Sequence, residues 1–282
     1  MITIPAKDGY QLMGQLYIPS SKVTNNKVLI INSATAVSRK LYHHYATFMA
    51  EHGYHVITYD YRGIAASRPK KLRGFKATFL DWGDKDFAGV INYVKKEFPN
   101  QKILTLGHSI GGTIIGMTEK NTEISGVITV GAQTAYYKDW PKKQRAKIYF
   151  LWHIILPWIT NVVGYFPGKK LGMLEDVPKG VIHQWHNRRK HTDIKKQLEN
   201  NGVKLFYNTY QSKLLTLGIE DDPIGTEQAI KRIHNLFKSN QKEIEIIRLE
   251  EILTDKIGHF GFFRRKFKET LWVKTVKWFD NL

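Results

Sequence analysis

The chain has 282 residues, 42% of them hydrophobic, a formal net charge of +18 and no cysteine. This length and composition suit one large α/β domain, or a core domain with an insertion, and exclude a disordered chain, a disulfide scaffold and thiol catalysis. The positive balance points to anionic substrates, lipid headgroups or nucleic acid, or simply to a lysine-rich soluble surface.

The N-terminal stretch MITIPAKDGYQLMGQLYIP lacks a basic start followed by an apolar run. It reads as two short strands around the turn Lys7-Asp8-Gly9. No secretory signal is visible, and cytoplasm is the expected compartment. Short runs rich in Ile, Leu and Val follow: KVLIIN (27–32), YHVITYD (54–60), KILTLG (102–107), GVITVG (126–131), KLLTLG (213–218) and EIEIIRL (243–249). Such runs suit parallel strands buried on both faces. Helical patterns over 41–52, 81–97, 110–120, 226–240 and 265–281 lie between them. The alternation implies a mostly parallel sheet with helices on both faces.

The alternation breaks once, over residues 133–210, which are rich in Trp, Tyr and Lys and show no clear strand. The expected organisation is a core of 1–132 and 211–282 with a helical cap at 133–210, a mobile lid over the carboxyl ends of the strands. Residues 133–212 hold 14 Lys and Arg against 5 Asp and Glu, half of the net charge. Inside this segment the run 148–166 approaches spanning length, but His153, Pro157, Asn161 and Gly164 interrupt it. A helix lying on the protein or dipping into a membrane surface is expected rather than a spanning one. Its apolar groups are expected to face the crevice and its lysines the outside, ready for an anionic membrane surface.

Gly107-His108-Ser109-Ile110-Gly111 fits the pattern G-x-S-x-G, with a strand before and a helix after. In this turn a strained backbone lifts the serine hydroxyl off the sheet, and the glycines avoid clashes. A serine nucleophile needs a base, and the base an orienting carboxylate, in the chain order Ser, acid, His. LLTLGIEDDPIG places Asp222, just before Pro223, after a late strand, with Asp221 the near alternative. DKIGHFGFFR places His259 in the loop before the last helix. The oxyanion hole would use the amide of Ile110 and one from the loop Ser33-Ala34-Thr35-Ala36, with Ala34 first and Thr35 second. No cofactor is required.

Metal and nucleotide sites are poorly supported. His43-His44 lacks ligand spacing, HQWHNRRKH (183–191) reads better as a basic cap face, and the glycines around Ser109 lack a phosphate-loop lysine.

With these residues in view, the chain resembles the α/β-hydrolase superfamily over nearly its whole length. YDYRGIAASR (59–68) is similar to the superfamily's D-x-R-G-x-G-x-S turn. INSATAV, YDYRG, GYFPGKKLG, EDDPIGT and IGHFGFFR together resemble a bacterial group of capped α/β-hydrolases related to serine aminopeptidase-like and lysophospholipase-like members. The resemblance implies a Ser-Asp-His hydrolase with Ser109, Asp222 and His259 in those roles. Two departures stand out. Relatives often have N-G-A-T-G where this chain has Asn32-Ser33-Ala34-Thr35-Ala36, and Ala65 replaces the second glycine of R-G-x-G. Alanine takes a positive φ only at a cost, so the oxyanion loop is expected to be shaped differently.

The leading reading is therefore a serine hydrolase acting on a small-molecule ester or thioester rather than a peptide. Trp140, Trp152, Trp158 and Trp185 are read as an apolar acyl or aryl pocket, or as cap core. The second reading is a catalytically silent hydrolase fold whose basic aromatic insertion grips an anionic membrane or nucleic acid. No recognised nucleic-acid motif is present, and nucleic acid is not the expected partner.

Overall fold

The computed structural model describes residues 1–19, 24–190, 193–200 and 202–282. Its strands in chain order are β1 (Ile2–Pro5), β2 (Gln11–Tyr17), β3 (Lys27–Asn32), β4 (His55–Tyr59), β5 (Lys102–His108), β6 (Ile124–Val130), β7 (Tyr165–Phe166), β8 (Val177–Pro178), β9 (Lys213–Ile219) and β10 (Lys242–Ile247). Eight of them form one sheet in the order β1-β2-β4-β3-β5-β6-β9-β10. From β4 to β10 the pairings are parallel, and β2 runs antiparallel to both β1 and β4. The fold is that of an α/β-hydrolase.

The pattern of β3 shows why the central strands read as unbroken apolar runs. Val28 and Ile30 enter the core on one face of the sheet, while Leu29 and Ile31 enter the core on the other. The helix Ala88–Glu97 buries Val90, Ile91 and Val94 in the first core. The helix His43–Glu51 and the C-terminal helix Val273–Asp280 bury Tyr45, Phe48, Val276 and Phe279 in the second. At roughly 25 cal/mol per Å² of apolar surface removed from water, these two layers are the main stabilising contribution.

Sheet order also places the crevice. β3 leads outward to β4, whereas β5 returns to the other side of β3. A crevice opens at the carboxyl ends where the winding reverses, and there the loops after β3 and β5 face each other.

Between β6 and β9 the chain adds no strand to this sheet among the described residues. It forms the helices Lys142–Phe150, Leu156–Val163, Lys179–Asn187 and Ile194–Asn200 and the two-stranded ribbon β7–β8. The first two are joined by one wider turn into a single 22-residue helix, Lys142–Val163. The expected helix over 110–120 is shorter than its pattern suggested. One α-turn, Ile110–Thr113, passes into a 3-10 turn, Ile114–Met117, before extended backbone at Thr118. Gly116 is pressed against the Tyr207 ring, where an added Cβ would lie 2.1 Å from a ring carbon.

The structure bears on two expectations about the insertion. Trp158 is exposed on the outer surface, while Trp140 and Trp185 are buried. Trp140 stacks on His153 and Trp152 stacks on Trp185, so these three are cap core. In addition, Phe150, Ile154, Trp158 and Val162 of the helix Lys142–Val163 are exposed, so this apolar row is not packed against the protein. The run is apolar on all sides, so its sequence carries no signal for which side the core covers.

Candidate active site

Ser109 follows β5 at φ 53° and ψ −119°, a conformation that non-glycine residues rarely adopt. The glycines around it are required by packing. A Cβ on Gly107 would lie 2.5 Å from the Gly112 backbone, and one on Gly111 would lie 2.2 Å from the Asn32 carbonyl oxygen. The Ser109 amide donates to the Val130 carbonyl at 2.9 Å, which ties the turn to the end of β6.

The next residue, Gly131, brings the other two groups alongside. A Cβ built on it would sit 3.0 Å from Asp222 Oδ2 and 3.4 Å from His259 Nδ1. His259 Nδ1 donates to Asp222 Oδ2 at 2.7 Å, and both residues are buried. The other carboxylate oxygen, Oδ1, accepts the amides of Ile224 and Gly225, each at 2.8 Å. Burial opposes ionisation of Asp222, but the His259 ring and these amides outweigh it and hold the carboxyl below its usual range. Ser109 and His259 share no hydrogen bond in this structure.

Asp221 has a different task. Its carboxylate accepts the amides of Ile257 at 3.1 Å and Gly258 at 2.8 Å, fixing the loop that carries His259. The two neighbouring aspartates therefore divide the work, one holding the ring and the other the backbone beside it.

Sequence reasoning missed a buried chain of four groups. The Ala34 amide donates to Tyr42 Oη at 2.8 Å, and Tyr42 Oη lies 2.9 Å from His108 Nδ1. His108 Nε2 lies 2.8 Å from the His259 carbonyl oxygen. A carbonyl only accepts, so Nε2 carries the proton and Nδ1 accepts from Tyr42. Burial, together with the neighbouring His259, pushes the His108 pKa down to about 3, which keeps this tautomer neutral. Only His108, the unspecified residue of G-x-S-x-G, left a trace of this chain in the sequence. We expect Tyr42→Phe to leave a buried acceptor and a buried amide without partners, at about 1–3 kcal/mol of stability. Turnover should fall by roughly tenfold with KM for a soluble ester within twofold, since the chain holds the His259 backbone and the Ala34 loop rather than the ground-state substrate. Unchanged turnover in steady-state assays would show that the chain positions neither His259 nor the Ala34 loop.

The chain also bears on the oxyanion hole. The expected donor Ala34 has its amide engaged by Tyr42, whereas the amides of Thr35 and Ile110 have no acceptor among the described residues. Nearby, Ala36 and Ala65, which replace the expected glycines, take φ of 60° and 43°. The loops keep the glycine-like conformation, and alanine carries the strain. Ala36→Gly should therefore stabilise the protein by up to about 1 kcal/mol, a rise in Tm of ~2–4 °C by calorimetry. A fall in Tm would mean that the strain is absent.

Among the described residues the other histidines make no comparable site. His43 Nδ1 pairs with Tyr17 Oη and His183 Nε2 with Asn161 Oδ1, while His186 packs on His153. His191 lies outside the described residues.

The sequence pattern of the family described as Hydrolase_4, serine aminopeptidase S33, matches residues 24–197. The chain belongs to this S33 family of α/β-hydrolases. The S33 match contains Ser109 and most of the insertion and ends before Asp222 and His259. No curated protein matches the chain. Among solved structures, a soluble variant of monoglyceride lipase from Saccharomyces cerevisiae, in complex with a substrate analogue, is 17% identical. The alignment covers 100% of this chain and 96% of that one at a TM-score of 0.69. The Pyrococcus furiosus esterase Pf2001 is also 17% identical, with coverage of 99% and 90% and a TM-score of 0.66. A monoacylglycerol lipase from Paleococcus ferrophilus is 13% identical, with coverage of 96% and 98% and a TM-score of 0.61. At such identities these likenesses speak for the S33 chain's fold.

Proposed function

We propose that this protein is a serine hydrolase that cleaves a carboxylic ester or thioester of a small acyl compound. The observation that carries the reading is the pairing of a strained, glycine-packed Ser109 with the His259–Asp222 couple beside it. In the reaction Ser109 Oγ attacks the acyl carbon while its proton passes to His259 Nε2. Asp222 holds the Nδ1 proton and offsets the charge on the ring. The amides of Ile110 and Thr35 receive the developing oxyanion. Collapse expels the alcohol or thiol, which takes the proton from His259. Water then repeats the sequence on the acyl-enzyme and releases the acid.

The family is described by an aminopeptidase, and such an enzyme must bind a free ammonium group. Among the described residues, four of the insertion's five carboxylates are already paired with a cation. Asp139 pairs with Arg232 at 2.6 Å, Asp176 with Arg68 at 2.6 Å, Glu175 with Lys169 at 2.7 Å and Glu199 with Lys195 at 3.8 Å. Asp193 accepts the Lys196 amide at 3.0 Å. This surplus of paired and unpaired cations favours ester over N-terminal peptide. The insertion acts as a lid, since its Glu175 amide donates to the Ala36 carbonyl at 2.9 Å, over the loop after β3.

A panel of p-nitrophenyl esters of graded chain length, run beside aminoacyl p-nitroanilides, tests the reading. Hydrolysis of the esters with little action on the anilides is expected. The reverse preference would make the protein a peptidase.

A further inference from the structure

Seven of the twelve large hydrophobic side chains exposed among the described residues fall between residues 150 and 174. Four form a row at i, i+4 spacing along the exposed side of the helix Lys142–Val163: Phe150 (57% exposed), Ile154 (48%), Trp158 (66%) and Val162 (64%). Residues at this spacing share one helix face. Leu171, Met173 and Leu174 of the following loop are exposed as well. Isolated surface hydrophobics need no explanation, but a contiguous row with a large aromatic marks an interaction surface.

The opposite side of this helix holds it to the protein. His153, Leu156, Pro157 and Thr160 are buried there. At the carboxyl end Arg73 donates to the carbonyl oxygens of Val163 at 2.8 Å and Val162 at 3.3 Å. The helix is long and apolar enough to cross a bilayer by length and composition. Crossing would strip these contacts and expose the cap core. One side packed on protein and the other bare is the arrangement of a helix that lies in an interface.

Charge identifies the occupant. Lys142, Lys143 and Lys147 stand exposed on the first turns of the helix, and Lys170 lies beyond its end. None of the four forms an ion pair among the described residues. Lysine stems lie along apolar surface while their ammonium groups reach the headgroup layer. A second copy of the chain would bring the same lysines against these, which disfavours self-association through this face. We infer that the row from Phe150 to Val162 is the docking surface for an anionic lipid bilayer, entered by its apolar side chains to the depth of the headgroup boundary. The inference does not depend on Ser109 or on the proposed chemistry.

The test is co-sedimentation of the full chain with phosphatidylglycerol/phosphatidylcholine vesicles and with pure phosphatidylcholine vesicles, at low and high salt. Binding to the anionic vesicles is expected, weakened by salt but not abolished, because screening acts on the lysines and leaves apolar insertion intact. The double variant Ile154→Ser/Trp158→Ser should bind at least tenfold more weakly, with unchanged Tm and with hydrolysis of a short soluble ester within twofold of the parent. Replacing Lys142, Lys143 and Lys147 by Gln should remove most of the salt-sensitive part. Failure of the parent to sediment, or equal sedimentation of the serine variant, would overturn the inference. So would sedimentation velocity showing a dimer that the serine variant dissolves, since the face would then be covered by a second copy.

Discussion

Ser109→Ala is expected to lower ester hydrolysis by at least a thousandfold while the far-ultraviolet circular dichroism and Tm stay close to the parent. Loss of a triad nucleophile removes the covalent route altogether, and losses up to ~10⁶-fold are known for such groups acting as a unit. The remaining rate would come from the oxyanion amides and substrate binding alone. The fold should survive because the Ser109 hydroxyl makes no hydrogen bond among the described residues, while its amide keeps its bond to Val130. The strained φ of 53° stays occupied by a non-glycine residue in the variant, so no large change in stability follows. A variant that kept a tenth of the parent rate would remove Ser109 from the mechanism.

The second large effect separates two adjacent residues. Asp222→Asn should lower kcat by roughly 10³–10⁴-fold, because the amide no longer fixes the imidazole in the tautomer that accepts the Ser109 proton. Asp221→Asn should cost within about tenfold. Its one remaining oxygen can still accept one of the two amides, from Ile257 and Gly258, that hold the histidine loop. The two variants also differ in what they disturb. Asp222→Asn acts on a buried ring contact of 2.7 Å, so kcat falls with little change in KM. Asp221→Asn loosens a loop, so the loss should shrink on cooling. Steady-state kinetics on one soluble ester, with both variants side by side, checks the ranking. A reversed order would transfer the acid role to Asp221.

Much of this architecture was legible because its signals are local. The apolar runs that became β3, β5, β6 and β9 are short and bounded by glycine, charge or turn residues, and burial on both faces leaves no alternation to confuse them. Ser109, Asp222 and His259 could be named because each follows a strand in the order that the turn at Ser109 demands. What escaped was set by contacts between distant segments. Tyr42 and His108 are 66 residues apart, and His108 meets the backbone of a residue 151 positions later. No periodicity records such a contact. The departures at Ala36 and Ala65 were visible, but their outcome was not. Whether the loop would relax or alanine would take the strain depended on how firmly Asp60 and the strand ends pin the backbone. Asp60 accepts from Arg39 at 2.6 and 2.7 Å and from the Ala66 amide at 3.3 Å, which fixes the turn around Ala65. The facing of the cap helix is the clearest case. A run apolar on all sides fits either orientation, and the choice fell to the buried contacts of Leu156, Pro157 and Thr160.

The central claim is that Ser109 is an activated nucleophile. A fluorophosphonate probe, followed by proteolysis and mass spectrometry of the labelled peptide, tests it most directly. The account predicts one adduct per chain, on the peptide containing Gly107-His108-Ser109, slowed strongly in Asp222→Asn and absent in Ser109→Ala. No adduct on the parent protein, or an adduct on a different serine, would contradict it.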